Sequence, residues 1–271
     1  MDYKKEFIDI FNELSRNMNS NQAWNDLIDC MAASISNATD KAHFDKREAD
    51  YMTCAKRLGF SKAMGDALGC VIEAFEHNPE QDFLGVVYGD LGLLTAKKGQ
   101  FFSPYSVCKM MAGATLEKDS IEKHIAEHGY ITINDPACGA GATLIAAANT
   151  LWLDYNINYQ TSALFTANDI DPVVAKMCYI QLSLLGCPGY VAVADTLCDP
   201  VVGDVLSPVE KETQDFWYTP MYFSDVWAYR RVFRGMDHLF SRPSCLPCKT
   251  EKKENEPVES YQMDISEFLA T

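Results

Sequence analysis

The stretch Ile133-Asn134-Asp135-Pro136-Ala137-Cys138-Gly139-Ala140-Gly141-Ala142-Thr143-Leu144 sets the strongest limit on what this chain folds into. An apolar run, Tyr130-Ile131-Thr132-Ile133, precedes the glycines, and a small-residue run, Ala142 to Leu153, follows them. That order predicts a buried strand, a tight turn and a helix. The pattern then repeats. Leu164-Phe165-Thr166-Ala167-Asn168 reads as a second strand, Pro172 to Leu185 as a second helix, and Tyr190-Val191-Ala192-Val193 as a third strand. Strand-helix-strand-helix-strand at this spacing predicts an α/β fold with a parallel sheet covered by helices.

The flanks differ in character. Phe7, Ile10, Phe11 and Leu14 recur at helical spacing, as do Trp24, Leu27, Ile28 and Met31. They predict a helical N-terminal subdomain over residues 1–95, ahead of a cofactor-binding domain over 96–240 and a tail over 241–271. Ser61 is placed to cap one helix. A second helix is expected from about Pro104, with Ser103 as its cap and Val107, Met110 and Met111 pointing inward. Beyond Asp195 the prolines 200, 208 and 220 punctuate a loop-rich stretch, with a helix expected over Trp227 to Phe233. Pro243 to Pro257, rich in Pro, Ser, Lys and Glu, reads as a flexible linker, and Tyr261 to Leu269 as a short acidic helix.

Composition excludes some functions. No run approaches the roughly 18 apolar residues of a membrane span. The N-terminus lacks the apolar centre of a signal peptide, so a cytoplasmic protein is expected. The ten cysteines are dispersed, and Cys30, Cys54, Cys70, Cys108 and Cys178 fall in apolar helical surroundings, as reduced buried thiols do. Cys245-Leu246-Pro247-Cys248 is a single C-x-x-C, and neither zinc nor redox chemistry follows from it without a second pair. The net charge of −15 is the wrong sign for gripping nucleic acid unaided. Arg230, Arg231, Arg234 and Arg242 do cluster, either as a phosphate-contacting patch or as a solvated helix face.

A glycine turn between strand and helix offers backbone N–H groups and lets a ligand approach the main chain. It lies where open α/β sheets bind ligands. The dinucleotide fingerprint is not matched, because Leu144 stands where its third glycine would be. Asp135 before the turn would repel a phosphate and suit a cation. Asp169 follows the second strand, where a carboxylate accepts from ribose hydroxyls. Asp195 follows the third, where it can accept from an adenine amino group. Singly, such aspartates are often helix caps. In order, with the turn, they describe a site for ribose, adenine and a positively charged tail, which is S-adenosylmethionine.

Four segments then resemble the adenine-specific DNA methyltransferases related to the modification subunits of type I restriction systems. Gly99-Gln100-Phe101-Phe102-Ser103-Pro104 is similar to the segment that packs against the methionine end of the cofactor. Asn134 to Gly141 is similar to the first cofactor motif, Asn168-Asp169-Ile170-Asp171-Pro172 to the ribose-binding motif, and Ala194-Asp195-Thr196-Leu197 to the adenine-reading motif. The resemblance implies a Rossmann-like S-adenosylmethionine-dependent methyltransferase fold. It implies cofactor contacts from Phe102, Ser103, Pro104, Asp135, Ala137, Cys138, Gly139, Gly141, Asp169, Ile170, Asp195 and Thr196. DNA is the implied substrate, and a specificity or restriction subunit a possible partner.

The chain also departs from that family. Its catalytic motif, Asn or Asp, two prolines and an aromatic residue, follows the fourth strand and holds a flipped base. No Asn-Pro-Pro-aromatic tetrapeptide occurs here. Thr219-Pro220-Met221-Tyr222 comes nearest, with Thr219, Pro220 and Tyr222 as the catalytic candidates, and a buried aromatic loop as the alternative reading of the same segment. Three functions stay open: an adenine methyltransferase on DNA, a degenerate cofactor-binding partner, regulator or decoy of a restriction-modification system, and a methyltransferase on a small molecule or protein.

Overall fold

The computed structural model describes residues 2–93 and 102–240, the last four by backbone alone. The expectations for Gly99 to Phe101, Arg242, Cys245 and Cys248, the linker and the acidic helix fall outside these residues.

Five helices open the chain: α1 (Tyr3–Leu14), α2 (Ser20–Thr39), α3 (Phe44–Arg57), α4 (Ala63–His77) and α5 (Phe83–Asp90). Asp2, Asn19 and Asp82 accept backbone N–H groups at the starts of α1, α2 and α5. Ser61 accepts from Ala63 N–H at 3.2 Å, just ahead of α4. Phe7, Phe11 and Trp24 interlock edge-to-face in the middle of this layer, Phe7 and Phe11 each 5.5–6.0 Å from Trp24.

Then α6 (Tyr105–Thr115) and α7 (Lys118–His128) lead into β1 (Ile131–Asp135). After β1 come α8 (Ala142–Asn149), a π-helical turn over 150–154, α9 (Tyr159–Ser162), β2 (Ala163–Asp169), α10 (Pro172–Leu184) and β3 (Gly189–Val193). Asp171 caps α10 with Pro172 in its first turn, the pairing that sets a helix start firmly. A two-stranded hairpin, β4 (Val202–Asp204) and β5 (Ser207–Val209), precedes β6 (Asp215–Tyr218), a 3₁₀ turn over 220–223 and α11 (Asp225–Phe240).

The main sheet has the order β1-β2-β3-β6. The first three strands are parallel, as expected, and β6 runs antiparallel to β3. Among the described residues β1 forms one edge and β6 the other. One apolar core runs without a break from Phe7 through Ile145 and Val174 to Trp217, so the N-terminal helices and the sheet share it. Buried Arg47 fastens them: it pairs with Asp40 at 2.7 Å, donates to Ser36 and to the carbonyl of Phe216, and stacks on Trp217. A second core on the other face of the sheet gathers Leu164, Tyr190, Phe216, Tyr218, Tyr222 and Trp227.

The segment before β1 departs from expectation. Helix α6 starts at Tyr105 with Pro104 at its cap, and Ser103 makes no capping bond. Val107, Met110 and Met111 face solvent, while Cys108 and Ala112 face inward. The reason is steric. Helix α6 meets Ala142 and Ala146 of α8, and small residues on both let the two helices approach closely. Cys30, Cys54, Cys70, Cys108 and Cys178 are buried free thiols, as expected. No described helix is long and apolar enough to cross a membrane.

Candidate active site

Register brings the strand ends together. Asp135 lies opposite Ala167, so β2 runs two residues further than β1 and carries Asp169 up to the level of the glycine turn. There the Asp169 carboxylate accepts from Gly139 N–H at 2.9 Å and from Asp171 N–H at 2.9 Å. Backbone bonds close the joint: Cys138 N–H donates to Asn168 O at 2.8 Å, and Ala194 N–H to Asp169 O at 3.0 Å. The Thr196 hydroxyl donates to Pro136 O at 2.7 Å, tying the loop after β3 to the turn after β1. Asp135, Asp169 and Asp195 thus border one turn.

Each carboxylate has its own setting. Asp135 closes the turn on itself, accepting from Ala137 N–H at 3.1 Å and from the Thr143 hydroxyl. Burial pushes the Asp169 carboxyl above the ordinary value, against the two backbone N–H bonds that favour its charge. Asp195 is solvent-facing, and the N–H groups of Cys198 and Leu197 hold it below the ordinary value. Among the described residues no lysine or arginine pairs with any of the three. The donor set is therefore acceptor-rich, which fits hydroxyls, an amine and a sulfonium and disfavours a phosphate. No described cluster of His, Cys, Asp and Glu suits a metal.

The glycines are required for packing. Gly139 has φ +52°, and a Cβ there would come within 3.2 Å of the Phe102 ring, which lies over the turn. Gly141 has φ +97°, and a Cβ there would meet Cys178 Sγ at 2.8 Å. Cys138 and Cys178 pack beneath the turn, and both thiols are held protonated, Cys138 first by its hydrogen bond with Cys178 and Cys178 by burial. Ile170 and Leu197 stand at the rim, 69 % and 93 % exposed, each one or two residues from a strand-end carboxylate. Clefts flank the turn. One, of about 300 Å³, runs along Asn134, Pro136, Asn168 and Thr196, another, of about 320 Å³, along Asp82, Phe102, Ser103 and Pro104, and a third, of about 170 Å³, along Asn134, Asp135, Thr143 and Leu144.

A fully buried side chain braces the turn from below. Gln181 of α10 donates to Ala140 O at 2.7 Å and to Asp82 at 2.8 Å, and accepts from Leu84 N–H at 3.0 Å. The sequence reading passed over it; the available signal was a single amide inside the apolar run of α10.

The family model of N-6 DNA methylases matches residues 81–252, well over half of the chain. The chain belongs to the N-6 DNA methylase family. The match starts at Gln81, beside Asp82 and α5, and takes in the whole site. A methyltransferase of Listeria monocytogenes, titled as class I and S-adenosylmethionine-dependent, is 14 % identical, with 87 % of this chain and 79 % of that one covered at a TM-score of 0.38. No curated protein sequence matches. S-adenosylmethionine is the methyl donor that membership of this family implies, and the acceptor-rich turn suits it.

The catalytic candidates Thr219, Pro220 and Tyr222 lie elsewhere. Thr219 is fully buried, its hydroxyl donating to Cys187 O at 2.7 Å and accepting from Gly189 N–H at 3.0 Å. Gly189 begins β3, at the opposite end of the sheet from the turn. Tyr222 is buried too and donates to Leu206 O at 2.6 Å, and Pro220 opens the 3₁₀ turn between them. The structure does not bring this tetrapeptide to the carboxylates, because β6 runs antiparallel to β3 and ends beside Gly189, at the end of the sheet away from Asp169 and Asp195. The arginines of α11 also turn inward. Arg230 donates to Thr161 O and Gly129 O, Arg231 to Tyr222 O, and Arg234 to Asp204.

Proposed function

We propose that this protein transfers the methyl group of S-adenosylmethionine to the exocyclic amino group of adenine in DNA. The observation that carries the reading is the Asp169–Gly139 joint, which gathers three strand-end carboxylates around one glycine turn. Asp169 would accept the ribose hydroxyls and Asp195 the cofactor's adenine amine, with Ile170 and Leu197 against the faces of the purine. Phe102, with Ser103 and Pro104, would close over the methionine end beside Ala137, Cys138, Gly139 and Gly141. The bound cofactor supplies an activated methyl on a sulfonium. The chain's own work is to hold it in one orientation, keep water away and position the incoming amine.

A second reading has its own support. Thr219 and Tyr222 are buried away from the turn, and the net charge is −15. Both favour a cofactor-binding partner, regulator or decoy of a restriction-modification system, acting with a specificity or restriction subunit. Two measurements separate the readings: calorimetric titration with S-adenosylmethionine, and transfer of labelled methyl to mixed-sequence duplex DNA. Binding with label on adenine N6 supports the enzyme. Binding with no transfer supports the partner, and absence of binding removes both.

A further inference from the structure

Helix α11 has two unlike faces. One docks on the fold: Trp227 is fully buried and donates to Gln160 O at 2.8 Å, while Arg230 lies 4.4 Å over its ring. The other presents Val226, Tyr229, Phe233 and Met236 to solvent at 40, 65, 62 and 42 % exposure. Their spacing of three, four and three residues makes a continuous apolar seam, the pattern that seats another helix. Among the described residues nothing covers it.

We propose that the chain's own C-terminal segment, residues 261–269, lies along this seam as a helix. Tyr261, Ile265, Phe268 and Leu269 recur at the i, i+4, i+7 and i+8 positions of one helical face. Lengths agree. The seam from 226 to 236 is about 15 Å long and a nine-residue helix about 14 Å. The chain leaves α11 at Phe240, at one end of the seam. Residues 241–260 reach up to about 65 Å when extended, ample for a return antiparallel to α11. Tethering decides the occupant: a segment joined by about twenty residues acts at a millimolar effective concentration, which a second copy at micromolar concentration does not match.

The test uses the full chain. Hydrogen–deuterium exchange is followed across 226–236 and 261–269 in wild type, Phe233→Asp and Ile265→Asp, with light scattering on the eluting protein. Phe233 is exposed and Ile265 lies outside the described core, so both variants keep the fold, which a thermal melt verifies. The expected result is a monomer whose 261–269 amides exchange at least about tenfold slower than an unstructured segment, with that protection lost in both variants. Unprotected amides in wild type overturn the proposal. Protection that survives Phe233→Asp overturns it too. Protection that rises with protein concentration alongside a dimer assigns the seam to a second copy instead.

Discussion

Gly139 N–H donates to the Asp169 carboxylate across 2.9 Å, so the glycine turn after β1 is fastened to the end of β2. With one oxygen facing each of two backbone N–H groups, Asp169 fixes the turn and still has spare lone pairs. On the proposed reading, those lone pairs accept the cofactor's hydroxyls.

Asp169→Ala is expected to weaken S-adenosylmethionine binding by about 1.5–3 kcal/mol, the range for hydrogen bonds to a charged group, by calorimetric titration. Part of the loss would come from a loosened turn, visible as faster exchange of the Gly139 amide. Unchanged affinity would remove Asp169 from the site.

The same carboxylate sets a pH dependence. Its value in the folded protein is raised by burial, so it takes up a proton at a higher pH than an exposed aspartate as the solution is acidified. The neutral acid is the poorer acceptor for hydroxyls. Cofactor affinity should therefore fall on acidification, starting above the ordinary aspartate value of 3.8, while Asp195, shifted the other way, stays ionised longer. Stability carries the opposite sign for this group: a raised folded value means that ionising Asp169 disfavours the fold as pH rises through the window above 3.8. Titrations at stepped pH, beside Asp169→Ala, check this. The variant should lose the shoulder that begins first.

Gly141→Ala is expected to destabilise the fold itself. The new Cβ would press on Cys178 Sγ at 2.8 Å, with overpacking worth about 1–3 kcal/mol, and φ of +97° adds strain. A urea titration reads this directly. Loss of cofactor binding with full stability would mean that the glycine serves the ligand alone.

Much of this site was legible in the sequence, because its signals are local. Strand period, turn chemistry and the cap at Asp171 lie within a few residues of one another, and the order of Asp135, Asp169 and Asp195 follows from chain direction. What failed depended on partners distant in sequence. Hydrophobicity favoured Val107, Met110 and Met111 as the inner face of α6, but contact with Ala142 and Ala146 selected Cys108 and Ala112. The antiparallel place of β6 beside β3 is a register between remote segments, and so the fate of Thr219 and Tyr222 was hidden with it. Gln181 carries no motif at all.

Gln181→Leu should cost about 2–4 kcal/mol, since Ala140 O and Leu84 N–H would be left buried without partners and Asp82 would lose a donor. Because Ala140 lies between the two turn glycines, cofactor affinity should fall as well. Chemical denaturation and titration of the same preparation read both effects. Gln181→Glu should be worse, as it places a second acid against the Asp82 carboxylate.

The last prediction concerns Thr219 and Tyr222. If their work is structural, removing their hydroxyls must act on stability and leave the cofactor alone. Thr219→Val would strand Gly189 N–H and Cys187 O in a dry core, a cost of about 1–3 kcal/mol, with the side-chain shape nearly kept. Tyr222→Phe would lose one bond to Leu206 O, about 1 kcal/mol, while its ring keeps its place 4.7 Å from Tyr218. Both variants should therefore melt earlier and bind S-adenosylmethionine as wild type does at a temperature where all are folded. Any methyl transfer measured for wild type should persist per folded molecule in Tyr222→Phe and Thr219→Val. A variant of full stability that loses transfer would return the tetrapeptide to the active site and require β6 and the 3₁₀ turn to move during the reaction.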